Sequence, residues 1–239
     1  ISHLVSLCPP HFRCVCPALG RSPECCKIHY NRTMDSHFPL ALVTGAAHRL
    51  GRAFALSLAR RGYAILLHYR ASQFRAEQTA LEFRALGVPV FPLRADLTDA
   101  AQVDGLFSAL DGLLADPANQ LSGLRVLVNS AALMRAGDVR SASVSDWDGI
   151  LDLNLRAPFL CAQRAWQRME AGGLIVNITD IAAEKVWTRF AAYTVSKAGL
   201  ESLTKIMARA FAPKVRVNAI APGLVLPSEI GRASCRERV

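Results

Sequence analysis

Short apolar runs alternate with longer segments of helical apolar period through most of the chain. Leu40 to Val43 reads as a buried strand. A turn, TGAAHRLG, leads from it into a helix from Leu50 to about Arg61, closed by Gly62 at a C′ position. The pattern repeats with a strand Ala64 to His68, a helix from about Ser72 to Leu86, and a strand from Val88 to Leu93 ending at Ala95-Asp96. Thr98 or Asp99 can cap a helix towards Leu114, and Leu124 to Val128 is the fourth strand. The longest helix is expected over Val144 to about Met169, with Ser145 or Asp146 near its cap. A strand Leu174 to Ile178, a helix containing Tyr193 to Ala212 and a strand Val215 to Ile220 complete the series. Strands alternating with helices of this length predict an α/β fold, a doubly wound parallel sheet with right-handed crossovers.

Such sheets bind ligands outside the carboxyl ends of their strands, where the order reverses. Thr44-Gly45, Asp96, Asn129, Asp180 and Pro222-Gly223 each follow a predicted strand, so the chemistry converges on one edge.

At 239 residues, 51% hydrophobic, the chain suits one substantial core. The net charge of +9 could suggest nucleic acid or a membrane surface, but part of the excess sits at the ends. Residues 1–33 hold Arg13, Arg21, Lys27 and Arg32 against Glu24, and Arg232, Arg236 and Arg238 lie near the last residue. Neither nucleic acid nor membrane is therefore expected as a partner, and no run is apolar for the length of a transmembrane helix. Five of the seven cysteines crowd into residues 1–33, and the remaining body looks like a reduced, cytoplasmic protein. Cys14, Cys16, Cys25, Cys26 and His29 would be the ligands of a zinc site, but no C-x-x-C pair is present and no metal is expected. Residues 1–33 are taken as a non-native or disordered leader before Met34, 34–228 as the single domain, and 229–239 as a non-native tail.

Two local patterns carry chemistry. The turn from Thr44 through Arg49 and Leu50 to Gly51 lets backbone approach a pyrophosphate at a positive helix end. Tyr193 and Lys197, four apart, share one helix face, where an ammonium favours the phenolate and lowers the Tyr pKa.

Together with Ala95-Asp96-Leu97, Asn129-Ser130-Ala131-Ala132, Asn154, Arg216-Val217-Asn218 and Pro222-Gly223, these motifs make the sequence resemble the short-chain dehydrogenase/reductase family over about Pro39 to Pro227. The resemblance implies a Rossmann-type fold. It also implies that Asp96 contacts the adenine, that Asn129 supports the central strand and cofactor, and that Asn154 holds a water linking Lys197 to solvent. Tyr193 would be the general acid, and Lys197 would also bind the nicotinamide ribose. Family members form dimers or tetramers, so a homo-oligomer is expected, through the helices holding Asn154 and Tyr193. The family continues past Pro227 through a substrate-covering segment, a helix and a last strand that cannot be read here, which predicts an exposed sheet edge.

Departures from the family pattern sharpen this reading. Arg49 replaces the middle glycine of the turn, and Asp180 replaces the catalytic Ser thirteen residues before Tyr193. Both changes, with His68-Tyr69-Arg70, are similar to the pteridine reductase branch. Met134 stands where that branch offers an aromatic ring to the pterin, and Pro227 where the family often has a Thr.

His68-Tyr69-Arg70-Ala71-Ser72 contains no acid to accept from a ribose 2′-hydroxyl, while Arg49 and Arg70 can pair with a 2′-phosphate. NADPH is the expected cofactor, and His68, Tyr69, Arg70, Leu97, Ala131, Pro222 and Gly223 are expected among its contacts. The reaction expected is hydride transfer to C=N or C=O of a small molecule, with Arg49, Met134, Asp180 and Tyr193 facing the substrate. A pterin or dihydropterin reductase leads; a general carbonyl or 3-oxoacyl-carrier-protein-type reductase and a non-catalytic NADPH sensor are the alternatives. Asp180 can instead simply cap its loop.

Overall fold

The computed structural model describes residues 37–223, apart from 186. Residues 1–33 and 229–239, Pro227 and the cysteine cluster lie outside the described residues. Six strands, β1 Phe38–Val43, β2 Ala64–Tyr69, β3 Val90–Arg94, β4 Leu121–Asn129, β5 Gly173–Ile178 and β6 Val215–Ile220, form one sheet in the order β3-β2-β1-β4-β5-β6. All pairings are parallel. This is the doubly wound arrangement expected, with the order reversing between β1 and β4.

Side-chain alternation explains the two cores. Leu40, Leu42, Leu66, Leu127 and Ile175 point to the face covered by α3 Ala100–Ala115, α5 Ala157–Arg168 and part of α6 Ala191–Ala210. Ala41, Val43, Ile65, Leu67 and Val128 point to the other face, against α1 Arg49–Ala59 and α2 Gln73–Arg84. Because both faces are covered, β2 is buried at all six positions, as parallel strands in such sheets are. Pro92 is tolerated in β3 because that strand lies at the sheet edge. At the opposite edge β6 pairs only with β5 among the described residues, and Arg216, Asn218 and Ile220 are exposed.

The ends of the elements follow local chemistry. Gly62, at φ +83°, closes α1: its N–H donates to Ala59 O, and Tyr63 N–H donates to Leu58 O. Asp99 caps α3 by accepting from Ala101 N–H. The cap of α4 Val144–Leu151 is Ser143, not Ser145 or Asp146: its Oγ accepts from Asp146 N–H. Asp146 instead places its carboxylate in the first turn, where the helix dipole favours it.

The single helix expected from Val144 to Met169 is interrupted. Asp152–Arg156 form a π turn, with Ala157 N–H donating to Asp152 O. Pro158 gives the reason, since proline has no N–H to offer the carbonyl of Asn154 four residues earlier. Among the described residues no helix is long and apolar enough to cross a membrane. The Cys161 thiol is fully buried, which pushes its pKa up to about 12 and makes it a packing group.

Candidate active site

The turn after β1 is closed by contacts that only glycine allows. Gly45 has φ +67°, and a Cβ there would lie 3.0 Å from Ala131 Cα; one on Gly51 would lie 2.3 Å from Gly45 O. Thr44, buried at the end of β1, accepts from the N–H groups of Ser130 and Ala131 at 2.9 and 3.0 Å, which ties the turn to the end of β4. Arg49 adopts φ +53° in place of the middle glycine, an unfavourable backbone for a residue with a Cβ. No side chain caps α1 and its first turn has no acid, so the helix leaves N–H donors for an anion. Leu50 is half-buried beside this turn, while Arg49 is exposed.

The end of β2 differs from the expectation in a specific way. His68 and Tyr69 do not offer their side chains to a nucleotide, because the strand end is enclosed by the layers on both faces. His68 Nδ1 accepts from Gly45 N–H at 3.1 Å, and its Nε2 pairs with Ala95 O at 3.0 Å. Burial pulls its pKa down to about 4, against the smaller opposing pulls of Ala95 O and Asp96, so the ring is neutral and carries its proton on Nε2. Tyr69 packs in the core beneath α1 and α2. Leu97 is likewise 3% exposed in the opposite core, so only its backbone can meet a ligand.

Arg70 is exposed, with its guanidinium 4.0 Å from Asp96. Asp96 itself accepts from Thr98 Oγ1 and N–H at 2.7 and 3.0 Å. The Thr98 hydroxyl is the main reason its pKa is lowered.

Asp180, Tyr193 and Lys197 converge where β5 ends. The phenol of Tyr193 donates to Asp180 Oδ2 at 2.8 Å, and Asp180 Oδ1 accepts from Ala182 N–H at 2.8 Å. The capping role and the contact with the Tyr193 phenol therefore coexist in one carboxylate. Lys197 Nζ donates to Ile178 O at 2.7 Å and lies 5.7 Å from the centre of the Tyr193 ring. This overturns the expected phenol chemistry. The Tyr193 pKa is raised, first by burial and then by the Asp180 carboxylate, instead of being lowered by the ammonium. The carboxylate meets the hydroxyl directly, whereas the ammonium is turned to a backbone carbonyl. Burial pulls Lys197 down to about 8, with Asp180 opposing.

Asn154 is fully buried, and both ends of its carboxamide are hydrogen-bonded. Its Oδ1 accepts from Leu133 N–H at 2.8 Å, and its Nδ2 donates to Leu133 O and Ser196 Oγ at 2.9 and 3.1 Å. The Ser196 hydroxyl donates to Tyr193 O at 2.7 Å. The side chain of Asn154 thus locks the loop after β4 to α6. Asn129 donates to Asn177 Oδ1 at 2.9 Å and Pro158 O at 3.4 Å, while Asn177 donates to Thr204 Oγ1 at 2.9 Å. This buried chain supports the central strands from inside; Asn129 does not present its amide at the surface. Pro222 and Gly223 follow β6, with Gly223 exposed and open space around its Cα.

Sequence reasoning missed the walls. Trp147, Trp187 and Phe190, together with Met134, which the sequence did single out, pack around Tyr193, Ala182 and Ile150. Trp187 and Phe190 meet edge to face at 6.2 Å between centroids. A cavity of about 230 Å³ at the start of α4, lined by Val139, Val144 and Ala191, shares Trp147 with this group. The available signal was the two aromatics in the segment between Asp180 and Tyr193.

Comparison with known proteins accords with this fold. The short chain dehydrogenase profile matches residues 39–237. The chain is 34% identical over 189 residues to the 3-oxoacyl-[acyl-carrier-protein] reductase FabG of Staphylococcus aureus, covering 78% of this chain and 74% of that protein. Among solved structures, landomycin C-6 ketoreductase LanV with bound NADP and rabelomycin is similar at 30% identity and TM-score 0.73, covering 79% of this chain and 77% of that one. A short chain dehydrogenase from Burkholderia cenocepacia in complex with NADP is 32% identical at TM-score 0.71, covering 79% and 75%. Profile, relatives and fold agree, and the chain belongs to the short-chain dehydrogenase/reductase family of oxidoreductases.

Proposed function

We propose that this oxidoreductase uses NADPH to reduce a C=N bond in a flat, basic heterocycle of the pterin or dihydropterin class. The observation that carries the proposal is the hydrogen bond from Tyr193 to Asp180, 2.8 Å long. The residues fit the dinucleotide. The uncapped start of α1 and the glycine-only turn suit its pyrophosphate, Asp96 its adenine, and exposed Arg49 and Arg70 its 2′-phosphate. Lys197 suits the nicotinamide ribose. When bound, the nicotinamide supplies the hydride.

The chain's own residues manage the proton. A phenol with a raised pKa stays protonated and available to a nitrogen that gains negative character. Asp180, beside it, attracts a cationic ring nitrogen and would repel the oxyanion of a simple ketone. Trp187, Phe190 and Met134 supply apolar surface beside Tyr193, so a flat ring can meet aromatic side chains there although Met134 is not one. Asn154 positions the loop carrying Met134 against α6. Exposed Phe159, Val195 and Ile206 on α5 and α6 support assembly of the protein through these helices, which sedimentation analysis would test.

A second reading, reduction of a carbonyl, is favoured by the resemblance to a 3-oxoacyl-[acyl-carrier-protein] reductase and a ketoreductase. NADPH oxidation with dihydrobiopterin beside a keto ester, in the parent and Asp180→Ser, separates the two. Pterin-dependent turnover lost in Asp180→Ser supports the first; turnover of the keto ester alone, kept or improved in the Ser variant, replaces it with the second.

A further inference from the structure

We propose that His68 is a positioning residue for the dinucleotide, a strut that sets the distance between the glycine turn and the end of β3. The inference rests on the NADPH reading of the site. Its ring spans two backbone groups that belong to different halves of a nucleotide seat. On one side is the N–H of Gly45, in the pyrophosphate turn; on the other is the carbonyl of Ala95, one residue before the adenine-side acid Asp96. His68 is 3% exposed, so it acts on a ligand only through these two contacts.

The strut is directional. Gly45 N–H needs an acceptor, and Ala95 O needs a donor, at two ends of a rigid ring. Only a histidine with its proton on Nε2 meets both demands. The low pKa supports this, because a second proton on Nδ1 would set one donor against the Gly45 N–H. Ala46 N–H also donates to the His68 carbonyl at 3.0 Å, so the same residue holds the turn through its backbone. Replacing the ring with an apolar one leaves two inward-facing backbone groups without partners. The turn and the end of β3 are then free to separate.

The two nitrogens can be tested apart. Asn places an oxygen where Nδ1 lies and retains an acceptor for Gly45; Gln places a nitrogen near Nε2 and retains a donor for Ala95. Binding of NADPH and of 2′,5′-ADP, which carries the adenosine end alone, is measured by calorimetry on the full chain with His68→Phe, His68→Asn and His68→Gln. His68→Phe is expected to weaken NADPH about tenfold or more, from the loss of two positioning hydrogen bonds, with kcat at saturating NADPH within about twofold. His68→Asn should bind NADPH more tightly than His68→Phe, and His68→Gln should recover 2′,5′-ADP more than His68→Asn does. A merely structural role lowers the unfolding temperature of all three and leaves their dissociation constants alike. That outcome, or NADPH bound by folded His68→Phe as tightly as by the parent, overturns the proposal. If His68→Phe does not fold, the Asn and Gln variants decide the matter. In the parent, ring nitrogen chemical shifts at pH 7 should report the Nε2–H tautomer; a cationic ring would also overturn it. A parent that binds NADH in preference to NADPH defeats the cofactor reading itself, a result distinct from any of these.

Discussion

Tyr193 and Asp180, thirteen residues apart in the chain, share a hydrogen bond of 2.8 Å in which the phenol is the donor and a capping carboxylate the acceptor. The pair ties the Tyr193 hydroxyl to the loop after β5, and it reverses the usual expectation for a phenol near an ammonium. Burial comes first, the carboxylate second, and both keep the proton on Tyr193.

Asp180→Asn keeps an acceptor for Ala182 N–H and removes the charge. The ionisation of Tyr193 should therefore move down towards the ordinary tyrosine value of about 10. The sign for stability follows from linkage. With the folded pKa above the unfolded one, the contribution is complete below about pH 10 and is lost as pH rises towards the folded value. Tyrosinate absorbance, with Tyr193→Phe as the reference, reads the shift. An unchanged titration in Asp180→Asn would show that the carboxylate does not act on the phenol.

Lys197 carries the opposite sign. Its pKa falls from 10.5 to about 8 because the ammonium is buried. A depressed folded pKa means stability present above pH 10.5 and lost as pH falls towards 8, by on the order of 3 kcal/mol. Lys197→Met should lose turnover by at least about 100-fold. Its unfolding temperature at pH 7 should nevertheless equal or exceed that of the parent, since no buried charge remains. That advantage should vanish by pH 10.5. A variant clearly less stable than the parent at pH 7 would mean that the ammonium is stabilised by more than Ile178 O.

The sheet, its helices and the convergence of Thr44, Asp96, Asn129 and Asp180 on one edge were legible because apolar periods of two and 3.6 are properties of neighbouring residues. The orientation of side chains at that edge was not. His68, Tyr69 and Leu97 share the sequence neighbourhood of a nucleotide site, yet layers remote in sequence bury them. The π turn at Asn154 had a visible signal in Pro158, which an apolar-period reading of one long helix passed over. Asn177 gave no signal, since its partners Asn129 and Thr204 lie 48 and 27 residues away. The phenol's pKa went wrong for a similar reason. The four-residue spacing to Lys197 is local, while the contact with Asp180 depends on how the loop folds back.

Asn177 should therefore be a stability residue. Asn177→Ala leaves Asn129 Nδ2 with only its long contact to Pro158 and removes the donor to Thr204, among buried side chains. A loss of about 2–4 kcal/mol in denaturant unfolding is expected, from stranded polar groups and a cavity. Thr204→Val, which removes only one end of the chain, should cost less. Equal costs would show that the chain is not coupled through Asn177.

Arg49→Gly should separate strain from selectivity. At φ +53° an arginine pays a conformational penalty of about 1–2 kcal/mol that glycine does not, partly offset by the greater freedom of glycine in the unfolded chain. The net expectation is a gain of up to about 1 kcal/mol in stability. The same change removes a guanidinium from the start of α1, where the 2′-phosphate of NADPH is expected, and leaves the donors of the turn in place for NADH. The preference for NADPH over NADH should fall by about 10-fold to 100-fold, almost wholly through weaker NADPH binding. Measuring both dissociation constants beside the unfolding free energy distinguishes the causes. Lower stability with unchanged preference would show that Arg49 is held at positive φ by contacts within the turn and has no part in cofactor choice.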